Sequence, residues 1–233
     1  MQLNHSILSD FSHLFYPHLC TGCGSDLLSA ENLLCIKCYS QLPKTNYAQH
    51  AGNPIEKKFW GRLPLKAAHA EFYFAKETLV QQLIHQLKYK SNKAIGKYLG
   101  ELMAASLLES NRFQNIDALV PLPLFAKKER KRGYNQAAII CEGMSTMMNV
   151  PVYNNLLVRQ RFTETQTKKH REERWENVEG SFSLNKETVL EGKNILLVDD
   201  VVTTGATFEA AGMALLKVKN TSLSIAALAY ASS

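Results

Sequence analysis

Apolar positions along this chain change their spacing several times, and each change marks an expected element. Thr78-Leu-Val-Gln81 has the Thr-x-x-Gln form of a helix start, and Val80, Leu83, Ile84 and Leu87 follow at the three- and four-residue spacing of one buried face. Ile95, Tyr98, Leu99, Leu102 and Met103 repeat that spacing for a second helix, and Ala137, Ile140, Cys141 and Met144 for a third. Between them Phe72-Tyr-Phe74 and Asp117 to Val120 read as strands. The second strand stops at Pro121-Leu-Pro123, because a proline cannot donate to a sheet ladder. Val150 to Val158 is strand-like, and residues 160 to 180 are polar and charged. Asn194-Ile-Leu-Leu-Val198 holds an unbroken apolar run, as a parallel strand buried on both faces does. A helix from about Thr207 to Val218 and a strand from Leu223 to Tyr230 complete the pattern. Strands alternating with helices predict an α/β fold built on a doubly wound parallel sheet.

The first third of the chain follows another rule. Cys20-x2-Cys23 and Cys35-x2-Cys38 are two close pairs with eleven residues between them, so four thiolates can meet at one ion. Gly22 and Gly24 flank Cys23, where the backbone must turn sharply. The gap is shorter than the roughly 15–20 residues of common zinc ribbons, and a redox-active or unliganded set is the alternative to structural zinc. The fifth cysteine, Cys141, lies on the apolar helical stripe and reads as a core thiol. Pro43 to Pro64 mixes Pro, Gly, Asn and Lys without periodicity, as a linker does. The expected division is a four-cysteine zinc module with its linker over residues 1–60, and the α/β domain over 61–233.

Composition narrows the function classes. With 233 residues, 45% of them hydrophobic, the chain can bury one ordinary core and an appendage. Nothing approaches the roughly 18 consecutive apolar residues of a membrane span, and the first twenty residues lack a secretory pattern, so no membrane insertion and a cytoplasmic location are expected. A net charge of +6 favours an anionic ligand, a phosphate-rich metabolite or a nucleic acid.

The stretch from Ile195 to Thr207 carries the most chemistry. A buried strand delivers Asp199 and Asp200 to its carboxyl end, where open α/β sheets bind ligands, and Thr203, Thr204, Gly205, Ala206 and Thr207 then open a helix. Small residues at a helix N-terminus can turn N–H groups and hydroxyls onto a phosphate. The two carboxylates, acceptor-only, suit neighbouring ribose hydroxyls, directly or through hydrated Mg²⁺. Neither G-x-x-x-x-G-K-[ST] nor G-x-G-x-x-G is present.

Val198-Asp-Asp-Val-Val-Thr-Thr-Gly-Ala-Thr207 resembles the signature of type I phosphoribosyltransferases. Val120-Pro-Leu-Pro123, Arg132-Gly-Tyr-Asn-Gln136, Gln166-Thr-x-x-x-Arg171 and Glu173-Arg174-x-x-Asn-Val-x-Gly180 are similar, in the same order, to motifs of the ComF family, and the four cysteines fit that family's zinc module. The chain departs from the pattern at Lys168-Lys169-His170. The resemblance implies a type I phosphoribosyltransferase-like sheet, phosphoribosyl pyrophosphate or a related ribose 5-phosphate ligand with Mg²⁺, and a link to the handling of transforming DNA. It makes Arg132, in the loop from Pro121 to Gly133, the best candidate cation on the pyrophosphate side. Lys127, Lys128 and Lys131 in that loop read equally as a solvated helix face, and Lys88 is a weaker pyrophosphate candidate. Arg171, Arg174 and Asn177 fall in a segment expected to cover the site, and Trp175 there either stacks on a base or packs on its own domain. Three readings stay open: a phosphoribosyltransferase of the amidophosphoribosyltransferase-like kind with an unknown acceptor, a single-stranded DNA binding accessory protein using the same pocket without turnover, and a metabolite sensor whose zinc module docks a competence helicase.

Overall fold

A computed structural model describes residues 17–27, 32–160, 181–185 and 187–231. Its centre is a four-stranded parallel sheet of β3 (Ala68–Tyr73), β4 (Ala118–Pro121), β7 (Asn194–Val202) and β8 (Ser222–Tyr230), in the order β3-β8-β7-β4. β7 and β8 pair from Asn194↔Ser222 to Val202↔Tyr230. Ile195, Leu196, Leu197 and Val198 are fully buried, as the unbroken apolar run predicts for a strand covered on both faces. Of the expected strand from Val150 to Val158, only Val152 bridges to Leu119, parallel. Leu157–Arg159 turns away as β5 and pairs antiparallel with β6 (Phe182–Leu184).

One face is covered by α3 (Leu79–Tyr89), α4 (Lys93–Leu108) and α6 (Gln136–Met148), whose Leu83, Leu87, Ile95, Leu99 and Ile140 form one cluster with Leu196 and Val198. Thr78 starts α3 by accepting from Gln81 N–H, while the Gln81 side chain reaches back to Glu77 N–H, one residue earlier than in a standard capping box. Cys141 is buried, as its place on the stripe predicts. The other face is covered by α7 (Ala206–Leu215), the β5–β6 hairpin and α2 (Pro54–Phe59), with Phe208, Leu157, Phe182 and Phe59 packed on Ile195 and Leu197.

The stretch Pro43 to Pro64, expected as a linker, is bound to the sheet. Lys44 bridges antiparallel to Phe72. Asn53 accepts from Ile55 N–H and Glu56 N–H to start α2, and its Nδ2 donates to Ala68 O at 2.8 Å. Ile55 and Phe59 are buried. Two apolar positions on one short helix are too few for periodicity to reveal. The cysteine unit, with the hairpin β1 (His18–Leu19) and β2 (Asp26–Leu27) and the helix α1 (Ile36–Ser40), rests on α3. Gln82 Nε2 donates to Gly22 O and Gln86 Nε2 to Thr21 O, each at 2.8 Å. No helix among the described residues is long and apolar enough to cross a membrane.

Candidate functional site

β7 ends at the carboxyl edge of the sheet, and alternation along it sends Asp200 to the α3 side and Asp199 to the α7 side. Asp200 Oδ2 lies 2.8 Å from Lys88 Nζ, at the end of α3. Asp199 Oδ1 accepts from Asp200 N–H at 2.8 Å and retains a little solvent contact. Burial, and then the neighbouring charge of Asp200, push the Asp199 carboxyl up to about 8. The Asp200 N–H, Lys88 and Arg159 oppose that rise without cancelling it.

Beyond the acidic pair the chain turns through Thr203 and Thr204, both exposed, into α7. Gly205 caps that helix at φ +83°, a left-handed conformation natural to glycine. A Cβ there would also stand 2.8 Å from the Phe59 ring, so the turn and α2 fit together only with glycine. Thr204 Oγ1 accepts from Ala206 N–H at 3.4 Å. The first-turn amides of α7 have no partners within the helix, and a helix N-terminus of this kind is able to hold an anion. Glu209, one turn into α7, would oppose an anion, but Arg62 neutralises it through a two-pronged contact, Nε to Oε1 at 3.1 Å and Nη2 to Oε2. Arg62 follows α2, in the stretch read as a linker, and no periodicity marked it.

The basic segment after β4, read from the sequence as a loop or, for its lysines, equally as a solvated helix face, takes the second form. Residues Ala126–Arg132 form α5, closed by Gly133 at φ +82°. Lys127, Lys128, Arg130 and Lys131 are exposed on it. Arg132 is half-buried, donates to Gln136 Oε1 at 2.6 Å and lies 5.4 Å over the Tyr89 ring, next in sequence to Lys88. The structure thus brings together Lys88, Asp199, Asp200 and the 203–207 turn, with Arg132 stacked at the end of α3. Arg171, Arg174, Trp175 and Asn177 lie outside the described residues. Arg159, at the end of β5 beside Asp199, escaped sequence reading because it stood in a stretch read only as strand.

The cysteine cluster is a second site. The Sγ atoms of Cys20, Cys23, Cys35 and Cys38 all lie within 4.8 Å of one another. Cys23 and Cys35 Sγ are 3.7 Å apart, close to the roughly 3.8 Å edge of a tetrahedron with zinc–sulfur bonds near 2.3 Å. Cys35 N–H donates to Cys20 Sγ at 3.2 Å and Cys38 N–H to Cys35 Sγ at 3.4 Å, bonds that steady thiolates. A Cβ on Gly22 would meet Cys38 Sγ at 2.8 Å and Leu79 at 2.9 Å, so glycine lets the knuckle sit against α3. The donor set fits a closed, structural zinc site.

The profile of the phosphoribosyl transferase domain matches residues 85–233. Competence protein F of Haemophilus influenzae is 27% identical over 220 residues, covering 88% of this chain and 93% of that protein. DNA utilization protein YhgH of Escherichia coli (strain K12) is 29% identical over 203 residues, covering 85% and 84%. Among solved structures, glutamine phosphoribosylpyrophosphate (PRPP) amidotransferase from B. subtilis, complexed with ADP and GMP, aligns with 62% of this chain and 30% of that chain, at a TM-score of 0.43 and 18% identity.

Proposed function

Since the chain belongs to the phosphoribosyl transferase domain family, as a ComF-type member of it, we propose that it binds phosphoribosyl pyrophosphate with Mg²⁺ and transfers the ribose 5-phosphate to or from an acceptor. One observation carries this reading: β7 sets Asp199 and Asp200 directly before a small-residue turn that opens α7. The 5-phosphate sits against the amides and hydroxyls of Thr203 to Thr207. The ribose O2′ and O3′ hydroxyls donate to carboxyl oxygens of Asp199 and Asp200. Lys88 holds the Asp200 side chain in place for that task, and Arg132 supplies positive charge on the pyrophosphate side. In the transfer the C1′–O bond to pyrophosphate breaks with its electron pair, an acceptor lone pair makes the new C1′ bond, and the acceptor proton passes to solvent. Residues that fix both reactants supply most of the catalysis, because a positioned pair reacts without the entropy cost of encounter.

The acidic pair, all oxygen and at a strand end, suits a hard cation. Mg²⁺ would be held there and at the pyrophosphate, and when bound it neutralises charge developing on the leaving group. Zinc at the four cysteines would be structural, leaving no open position for chemistry.

The exposed cations of α5 favour a second reading, single-stranded DNA bound along the same edge without turnover, in keeping with the competence and DNA-utilization names of the relatives. Isothermal titration of phosphoribosyl pyrophosphate with Mg²⁺ tests the first reading. Micromolar binding is expected, lost in Asp199→Asn/Asp200→Asn. No binding to folded, zinc-loaded protein, together with oligonucleotide affinity that falls steeply with salt, would move the assignment to the second reading.

A further inference from the structure

Arg159 closes β5 beside the acidic pair, yet ribosyl transfer as set out above gives it no task. Its guanidinium carbon lies 3.8 Å from the ring centroid of Phe125 and 5.4 Å from that of Phe182. One ring comes from the segment after β4, the other from β6, so the cation is clamped between two elements. Its Nε is buried and has no hydrogen-bond partner among the described residues. Contact with ring faces holds a guanidinium but leaves its in-plane N–H groups unmet, and a buried donor without an acceptor costs about 1–3 kcal/mol. Burial holds the Arg159 guanidinium below the ordinary arginine range. Asp199 opposes that through its field, not through a hydrogen bond to Nε.

The side chain borders a cavity of about 560 Å³ lined by Leu124, Ile139 and Leu157 together with Asn154, Asn155 and Asn185. Lys93 stands at the same cavity, 5.1 Å over the Tyr134 ring. Two carboxylates share its lining, but Glu142 is paired with Lys97 at 2.8 Å and Glu129 is exposed on α5. A mixed lining, in which a fixed guanidinium and a second cation stand among apolar side chains and asparagines, suits a small molecule with one anionic group.

The geometry points to an anion-binding site in this cavity, with Arg159 as its principal donor, that receives the carboxylate or phosphate group of the acceptor. The acceptor role rests on the ribosyl-transfer reading, whereas anion binding at Arg159 does not. Arg159 is a binding and positioning residue here: it orients an anionic acceptor toward C1′ from the Asp199 side.

The test titrates inorganic phosphate and, separately, benzoate into the full-length protein held in saturating ribose 5-phosphate, so that the 203–207 turn is occupied. Binding is read by the shift in melting midpoint, and the tighter probe identifies the anion as phosphate or carboxylate. Affinity is expected to fall at least tenfold in Arg159→Met, which keeps the stacking bulk, and to recover in part in Arg159→Lys. Binding of neither probe, or binding indifferent to Arg159→Met, overturns the proposal. Should Arg159→Met fail to fold, phenylglyoxal labelling of the unaltered protein decides: the probe must protect Arg159, and absence of protection overturns the site. Ribose 5-phosphate binding, measured in the same samples and in Asp199→Asn/Asp200→Asn, reports on the other reading. Its absence with anion binding intact removes the ribosyl-transfer reading and leaves the cavity standing.

Discussion

Asp199 shows how a single residue can be bad for stability and good for a site. Its carboxyl is pushed up to about 8 by burial and by Asp200, whereas in the unfolded chain an aspartate titrates near 3.9. Between those values the folded state holds a proton that the unfolded state has released, so stability is greatest below about pH 4 for this group and declines as pH rises to about 8. Asp199→Asn removes the conflict. It is expected to stabilise the protein by roughly 1–3 kcal/mol at pH 7 and to give no gain at pH 4, while abolishing ribose binding. Melts of both proteins at pH 4, 7 and 8.5 check this, and a gain independent of pH contradicts it. That the acidic pair stands at a strand end was legible in the run before it. The split in environment, Asp200 on Lys88 and Asp199 toward Arg159, was not, because it depends on which helix and hairpin flank each side of the strand.

Among the elements, α4 and α6 make the closest approach, and glycine allows it. A Cβ on Gly100 would overlap the Ile140 carbonyl oxygen, and one on Gly143 the Lys97 carbonyl oxygen, so the two backbones touch with no side chain between them. This contact sets α6 against β4 and β7 and fixes its start at Asn135, which accepts from Ala137 N–H and donates to Leu122 O. Gly143→Ala must push the helices apart, because the obstacle is backbone and cannot rotate away. A loss on the order of 3 kcal/mol, about 10 °C in melting midpoint, is expected. A loss under about 1 °C would mean that the helices separate freely. The apolar stripes announced both helices from the sequence. They did not announce the pairing, since glycine at a crossing looks the same as glycine anywhere on a helix.

At the scale of the whole molecule, α3 joins the cysteine unit to the site, with Gln82 and Gln86 bonded to the first knuckle and Lys88 on Asp200. The far end of the helix has its own anchor, Tyr134 Oη donating to Leu87 O. On the zinc reading of the four cysteines, treatment with a chelator is therefore expected to lower the melting midpoint and open the cysteine unit to protease, while phosphoribosyl pyrophosphate affinity changes by less than about threefold. Metal analysis, limited proteolysis and titration of one preparation measure all three, and a tenfold loss of affinity would show that the knuckle, not Tyr134, positions Lys88.

The sequence by itself determined the alternation of strands and helices, the four-cysteine set, and the acidic pair with its small-residue turn. Each is a local pattern, written in residues close together along the chain. Only the tertiary structure decided that Pro43 to Pro64 seats α2 on the sheet, that Arg62 neutralises Glu209 from 147 positions away, that the basic segment after β4 is a helix, and that Arg159 lies clamped between Phe125 and Phe182. Three of those four arise from contacts between distant segments, where a side chain's partner is set by how the layers pack and not by its neighbours in the chain. The helix after β4 differs: seven residues with no buried position offer no apolar period to read.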